Sequence, residues 1–396
     1  MSDAPPTDRD DDTESTRVFS ATSARAQLRT LPPIDWVHSL RVVAGAAIGQ
    51  RFRVGDDLLT VGRRADNAII LPDPEVSSLH CSVRALPGTD ALEVTDHQST
   101  NGTFINGRRV RAVARLPDRS VLQAGSHVLL HEFRSRQDME LAEQSDRDLA
   151  RARHYVESLL PPPITEGPVR TEWFFRPSAM LGGDAFGLLD LGAGRFAGYV
   201  IDVSGHGAGA AMHTVSVISV LRQRALPETD LTDPAQVLTR LNAMFQMDTH
   251  DGLFFTMWYG VYDIQTRDLV YASAGHHPAY LRGPVGESAP GAAQGGARPL
   301  RPLVTRSLAI GAAPESAYRD ERLVTAPGER LYLFSDGLFE VACADGRLWA
   351  LGDLLPHIEQ SDPGPGEPER LYRAVRKATG DGPLEDDCSI VTVTFL

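Results

Sequence analysis

Lysine is nearly missing from this chain. Lys377 is the only one in 396 residues, and every other basic side chain is arginine; codon bias from GC-rich DNA accounts for that more simply than any stability argument. Cysteine is scarce too. Cys81, Cys343 and Cys388 lie far apart with no CxxC spacing, which suits a reducing cytoplasm and argues against a thiolate zinc site. No stretch of about 18 apolar residues occurs, so no transmembrane helix is expected. The first residues, MSDAPPTDRDDDTEST, have no apolar core, so they do not read as a secretory signal. Positive charge is short: 39 Lys+Arg face 52 Asp+Glu, a net charge of −13. That bulk field argues against non-specific binding of nucleic acid. The expectation is a cytoplasmic protein with no membrane span and no nucleic-acid partner.

At roughly 150 residues per domain, the length allows two or three domains. Residues 1–37 read as an acidic, disordered tail: Asp3, Asp8, Asp10, Asp11, Asp12 and Glu14 crowd it and apolar residues are sparse. Residues 38–135 carry short β-type runs separated by Gly, Pro, Asn and Asp, the texture of an all-β sandwich. Residues 136–160 switch to a helical period. Ala142, Leu149 and Val156 recur every seven residues, as do Ser145, Ala152 and Leu159. This seam has two readings, a linker helix packed on a neighbouring domain or a dimerising coiled coil. Pro161-Pro162-Pro163 stops the helix. Residues 161–396 mix strands in hairpin order with inserted helices, an α+β pattern. Gly283–Pro302 reads as a flexible insertion.

Four aspartate motifs punctuate that last segment: Leu-Gly-Gly-Asp184, Ile-Asp202-Val-Ser-Gly-His-Gly, Leu-Phe-Ser-Asp336-Gly, and Asp386-Asp387. Each places a carboxylate where an apolar strand meets a turn. One Asp-Gly is ordinarily a turn signal. Four in series can supply the oxygen ligands that Mg²⁺ or Mn²⁺ prefers. A pair of such ions activates water and clamps the oxygens of a phosphoryl group.

On these residues, with Leu159-Leu160-Pro161, Phe255-Thr256, Ala274-Gly275-His276-His277-Pro278 and Glu340, the segment from about 160 to 396 resembles the PPM-type metal-dependent serine/threonine phosphatases, in their SpoIIE/RsbU-like branch. The resemblance implies a β-sandwich flanked by helices and two divalent cations, Mn²⁺ or Mg²⁺. It implies that Asp202 bridges the metals with the Val203 carbonyl on one of them, that Asp336 and Asp386 complete the first, and that Asp184 serves the second. Asp387 stands as the alternative to Asp386. Water activated by two metals would attack phosphorus directly, with no phosphoenzyme and no catalytic Cys or Ser. His206 and His276 are read as structural. Gly205 and Gly207 are expected to let the backbone approach the site. Gly187 stands where the branch usually carries a second aspartate, which puts the outer shell of the second metal in question.

Residues about 40–133 resemble a forkhead-associated (FHA) domain, a phosphothreonine-binding sandwich, through Val61-Gly62-Arg63, Asn67, Val76-Ser77-Ser78-Leu79-His80 and Ser99-Thr100-Asn101-Gly102-Thr103. A phosphate dianion needs an arginine fork with hydroxyl or backbone donors. The resemblance assigns that work to Arg63, Ser77 and Ser78, and the positioning of the peptide to Thr100 and Asn101. His80 is read as a buttress between loops.

The expected protein is multidomain: an all-β FHA sandwich, a helical linker and an α+β phosphatase. Its expected substrate is a phosphorylated partner, by analogy an anti-anti-sigma STAS protein. The FHA ligand would be a phosphothreonine protein, a Ser/Thr kinase or the chain's own tail at Thr7, and a homodimer would form through the linker. The competing reading is an FHA scaffold carrying a weak or inactive phosphatase.

Overall fold

The computed structural model describes residues 35–45, 48–178, 181–205, 207–249, 252–284, 300–343, 346–360, 364–380, 384 and 386–396. Most of the expected tail, residues 1–34, and the central part of the expected insertion, residues 285–299, lie outside the described residues. The first strand begins at Trp36, inside the stretch expected to be tail.

Two sheets form the N-terminal unit. One has six strands, in the order 51–54, 36–44, 127–135, 121–124, 103–105 and 108–109; the other has five, in the order 69–70, 59–62, 81–85, 91–96 and 113–117. Alternation along each strand sends one row of side chains between the sheets. Leu40, Val42, Leu129 and Leu122 from the first sheet meet Val61, Val83, Leu92 and Val94 from the second, all fully buried. The segments that carry Arg63, Ser77 and Thr100 lie beyond the ends of these strands.

The helix Arg136–Ser158 leaves directly from the strand His127–Ser135. Ser135 caps it by accepting the Asp138 N–H at 3.1 Å. Its first turns lie on the FHA sheet. Met139 is fully buried, Arg51 donates to Asp146 at 3.0 Å, and Arg53 holds Glu143 with two bonds of 2.7 and 2.9 Å. Its later turns lie on the C-terminal unit, where Leu149, Ala152 and Val156 pack with Leu181, Ala211 and Val215. Of the two uses open to the heptad seam, this is the intramolecular one.

The C-terminal unit is a four-layer sandwich. One five-stranded sheet runs in the order 169–176, 388–395, 330–334, 279–282 and 300–303; the other runs 185–192, 195–203, 255–263, 268–274 and 321–324. Between them lie Phe186, Val200, Trp258, Leu331, Leu333 and Val391. The helices Ala208–Arg222 and Pro234–Met244 cover the outer face of the second sheet, against Tyr199, Ile201, Met257 and Tyr259. The helices Leu351–Gln360 and Glu367–Thr379 cover the outer face of the first, against Tyr332, Phe334 and Ile390. The near-continuous apolar strand Arg195–Val203 follows from this burial on both faces: Val200 points into the sandwich while Tyr199 and Ile201 point to the helices.

Candidate active site and phosphopeptide-binding face

The four aspartate motifs meet at one edge of the sandwich, and the glycines beside them explain how. A Cβ on Gly182 would stand 2.5 Å from an Asp387 carboxylate oxygen, and one on Gly183 would stand 2.9 Å from the Val203 carbonyl. A Cβ on Gly337 would collide with the Asp387 backbone carbonyl. Four segments distant in sequence, at Gly182-Gly183, Val203, Gly337 and Asp387, therefore come together where the glycines leave bare backbone. Gly205 and Gly207 have φ values of +82° and +92°, which residues with a side chain rarely adopt; a Cβ on either meets nothing within 4 Å among the described residues, and the Gly205 carbonyl lies 3.2 Å from where a Gly183 Cβ would stand.

Asp387 is 2% exposed and wholly engaged. One carboxylate oxygen accepts the Ser178 N–H at 2.7 Å and the Ser178 hydroxyl at 3.0 Å; the other accepts the N–H groups of Gly183 at 2.6 Å and Asp184 at 3.3 Å. Its backbone carbonyl accepts the Ser335 hydroxyl at 3.1 Å. Asp386 is exposed and accepts the Asp387 N–H at 2.7 Å. Asp184 is buried and accepts the Ser389 hydroxyl at 2.8 Å. Thr214, on the helix after Asp202, donates its hydroxyl to the Gly183 carbonyl at 2.5 Å. Ser178, Thr214, Ser335 and Ser389 were not singled out from sequence, because a hydroxyl that serves a carboxylate in a distant segment leaves no local pattern.

Burial first, then the charges of Asp202 and Asp387, hold the Asp184 carboxyl well above the usual carboxylate range. Burial, followed by Asp336, Asp386 and Asp387, pushes Asp202 up to about 7. Burial, followed by Asp386 and Glu340, pushes Asp336 up to about 6. The leading charge on each is another carboxylate. Such a cluster is starved of positive charge, and its donor set is all oxygen, so it fits hard divalent cations. Among the described residues, no three His, Cys, Asp or Glu side chains already close on a single point as a metal cage.

His276 is buried with both ring nitrogens engaged. Nε2 faces the Phe334 carbonyl at 3.1 Å, so it carries the hydrogen, and Nδ1 accepts the Thr256 hydroxyl at 2.7 Å. It ties three strands together. His206 lies outside the described residues. At Gly187 the place of a side chain is filled by the Tyr199 ring, which a Cβ would overlap. The missing aspartate is thus a packing exchange on the helix-facing side of the sheet.

The second face belongs to the N-terminal sandwich. Arg63 is exposed, its Nε donating to the Val76 carbonyl at 3.2 Å and its N–H to the Ser77 carbonyl at 3.0 Å. The Ser77 hydroxyl accepts the Thr100 N–H at 3.1 Å, and Asn101 donates its side-chain amide to the Glu75 carbonyl at 2.9 Å. Ser78 is exposed beside them, and its carbonyl accepts from Asn67 at 2.8 Å. His80, fully buried, accepts the Ser77 N–H at 3.2 Å and donates to the Gly102 carbonyl at 3.1 Å. It joins the two recognition loops. All five residues expected to read phosphopeptide are therefore on one rim.

Known proteins place both halves. The family described as Stage II sporulation protein E (SpoIIE) matches residues 192–396, more than half of the chain, and the FHA domain family matches residues 59–125. The chain belongs to the SpoIIE family. The SpoIIE match begins after Asp184, so the Leu-Gly-Gly-Asp motif lies just upstream of it. Two Bacillus subtilis relatives are named phosphoserine phosphatases. RsbP is 27% identical over 49% of this chain and 45% of its own length, and RsbU is 29% identical over 49% and 54%. The chain spans about half the length of these curated relatives. Among solved structures, the SiaA-PP2C domain of Pseudomonas aeruginosa aligns with a TM-score of 0.52 at 20% identity, covering 64% of this chain and 98% of that one. That likeness concerns the fold of the SpoIIE unit. No helix among the described residues is long and apolar enough to cross a membrane.

Proposed function

We propose that this SpoIIE-family chain is a metal-dependent protein serine/threonine phosphatase whose FHA unit binds phosphothreonine peptides. The observation that carries the proposal is the convergence of Asp184, Asp202, Asp336 and Asp386 on one edge, where each of the first three is raised by burial and by another carboxylate. These residues, with the Val203 carbonyl, would hold two divalent cations, Mn²⁺ or Mg²⁺. Bound there, the cations supply Lewis acidity and a lowered pKa for water. Asp386 is the ligand of its pair. Asp387 is a positioning residue, because both its oxygens are committed to the 178–184 loop.

The protein's own part is to keep four carboxylates together against their repulsion. Asp387 and Ser389 do so from one side and Thr214 from the other. Asp202 and Asp336 are part-exposed and Asp386 is exposed, so this edge is accessible to a phosphorylated side chain presented by a partner. A phosphorylated STAS protein is the substrate class we assign, on the analogy of the branch. The FHA rim recruits a phosphothreonine protein, a kinase or the chain's own Thr7 region. The linker helix gives that recruitment a mechanical route: Val156 packs on Leu181, three residues before Asp184, and on Ala211, on the helix that follows Asp202. The scaffold alternative had only Gly187 in its favour, and the Tyr199 ring accounts for that glycine.

Asp202→Asn and Asp336→Asn test the reading on p-nitrophenyl phosphate with excess Mn²⁺. Both variants fall to background; activity retained in either sinks the assignment.

A further inference from the structure

A cleft of about 660 Å³ lies apart from the carboxylate cluster. It lies where the FHA unit, the linker helix and the catalytic unit meet. Five cationic side chains line it: Arg153 of the linker helix, Arg176 at the end of a strand, and Arg373, Arg376 and Lys377 of the last helix. The last three lie on one face of that helix, at the spacing of one turn. The helix is rooted in the sheet by Glu367, which is fully buried between Arg282 at 3.2 Å, Arg330, and the Tyr332 hydroxyl at 2.8 Å. The opposite wall is the FHA unit, with Gly45, Asp73, Glu75 and Ser126. Asp73 is turned to its own unit, accepting the Ser126 N–H at 3.1 Å.

Arg153 and Arg373 also hold Glu157 at 2.7 Å and Glu369 at 2.6 Å, one turn away on their own helices; such exposed pairs are weak and exchangeable, and the five cations still outnumber these two carboxylates together with Asp73 and Glu75 of the wall, in a chain of net charge −13. The chain carries a matching partner. Residues 3–14 hold Asp3, Asp8, Asp10, Asp11, Asp12 and Glu14 against Arg9 alone. We propose that this cleft is an anion-binding site whose occupant is the chain's own acidic segment, residues 3–14.

Reach permits it. The strand Trp36–Ala44 ends at the cleft, where Ala44 and Gly45 form part of the wall, so Asp35 starts about 30 Å away at the strand's rise. The roughly 20 residues between Glu14 and Asp35 extend to about 65 Å, enough to turn back along the strand. Exposed ion pairs are individually weak. Tethering compensates, because joining the two partners in one chain gives an effective concentration of order millimolar. The occupant would bridge units that are otherwise joined through the linker helix, within reach of Ser178, whose N–H and hydroxyl hold Asp387. A phosphothreonine peptide fits the chemistry of the Arg63 rim better, since the cleft contains neither Ser77 nor Arg63.

Lys377 makes the proposal directly testable, as the only lysine in the chain. The full-length protein is treated with a zero-length carbodiimide, which joins a carboxylate to an amine in contact, and then mapped by mass spectrometry. The expected product is an intramolecular amide between Lys377 and a carboxylate of residues 3–14. Its yield falls about five-fold or more in about 1 M NaCl, where the Debye length is about 3 Å. It falls likewise in Arg373→Ser, which keeps Lys377, and a thermal unfolding midpoint equal to that of wild type shows that this variant is folded. Three results overturn the proposal. One is Lys377 amides only to residues beyond position 34, another is a crosslink joining two copies of the chain, and the third is a yield indifferent to both salt and Arg373→Ser. Added phosphothreonine peptide that suppresses the crosslink in an Arg63→Ala background would assign the cleft to that ligand and overturn the proposal as well.

Discussion

The Asp387 carboxylate accepts the Gly183 N–H at 2.6 Å across 204 positions of sequence. That bond joins the last aspartate motif to the first, and its neighbours from Ser178 and Asp184 use up the remaining acceptor capacity. In the function proposed above, the Asp386-Asp387 doublet divides its labour: Asp386 would serve the metals, while Asp387 holds the backbone of Gly183 and Asp184.

Asp387→Asn puts an NH₂ group against backbone donors. It is expected to release Ser178, Gly183 and Asp184 and to weaken Mn²⁺ affinity about 10- to 100-fold, as removal of a ligand's supporting hydrogen bonds does. Asp386→Asn is expected to abolish activity without recovery at high Mn²⁺. A Mn²⁺ titration of phosphatase activity in both variants separates the roles.

Gly337→Ala drives a methyl group into the Asp387 carbonyl. The neighbour is backbone and cannot swing aside, so a loss of about 1–3 kcal/mol is expected, with loss of activity. Urea unfolding measures the first. Gly207→Ala meets no neighbour but must hold φ +92° with ψ −160°, a region essentially reserved for glycine, so its expected cost is backbone strain of about 1–3 kcal/mol.

Arg63→Ala removes an exposed guanidinium without touching the FHA core. Phosphothreonine-peptide affinity is expected to fall by about 1.5–3 kcal/mol, the range for a hydrogen bond to a charged group. Thermal stability should stay unchanged. His80→Ala should lose both, because His80 braces two loops from inside. Isothermal titration and thermal melts distinguish them.

Acid is expected to weaken the FHA unit. Burial depresses the pKa values of His38, His80, His127 and His131 below the ordinary histidine value, the His38–His131 contact at 3.0 Å adding mutual repulsion to His38. A base with a depressed folded-state pKa binds more protons unfolded, so its contribution is complete above the unfolded value near 6.5 and fades as pH falls toward the folded one. Urea midpoints of the FHA transition should decline steadily below about pH 6.5. His131→Phe should flatten that decline.

Val156→Glu places a charge against Leu181 and Ala211. Phosphatase activity should drop while phosphothreonine-peptide binding at the Arg63 rim stays as in wild type. Equal loss of both would mean that the linker helix matters only for folding.

Much of this was legible in sequence, for identifiable reasons. The strand Arg195–Val203 and the helix after it announce themselves through unbroken apolar character, and Asp233 with Pro234 marks the start of the next helix. The strand Val169–Arg176 does not: its half-exposed edge position lets Glu172 and Arg170 interrupt the apolar pattern. Pro356 hid the helix Leu351–Gln360, whose one buried face rests on only Leu354 and Ile358. The aspartates were visible because strand-end carboxylates stand beside glycines. The division between Asp386 and Asp387 was not, because it depends on which oxygen meets a loop two hundred residues away. The heptad seam was visible as a pattern, but its partner, Leu181 and Ala211, is set only by the folded catalytic unit.

The most direct test of the account is hydrolysis of a phosphoserine or phosphothreonine peptide by the wild-type chain, first with EDTA and then with Mn²⁺ restored. The account predicts no hydrolysis with EDTA, full recovery with Mn²⁺, and no recovery in Asp202→Asn. Hydrolysis that persists in EDTA, or that Asp202→Asn retains, would contradict it.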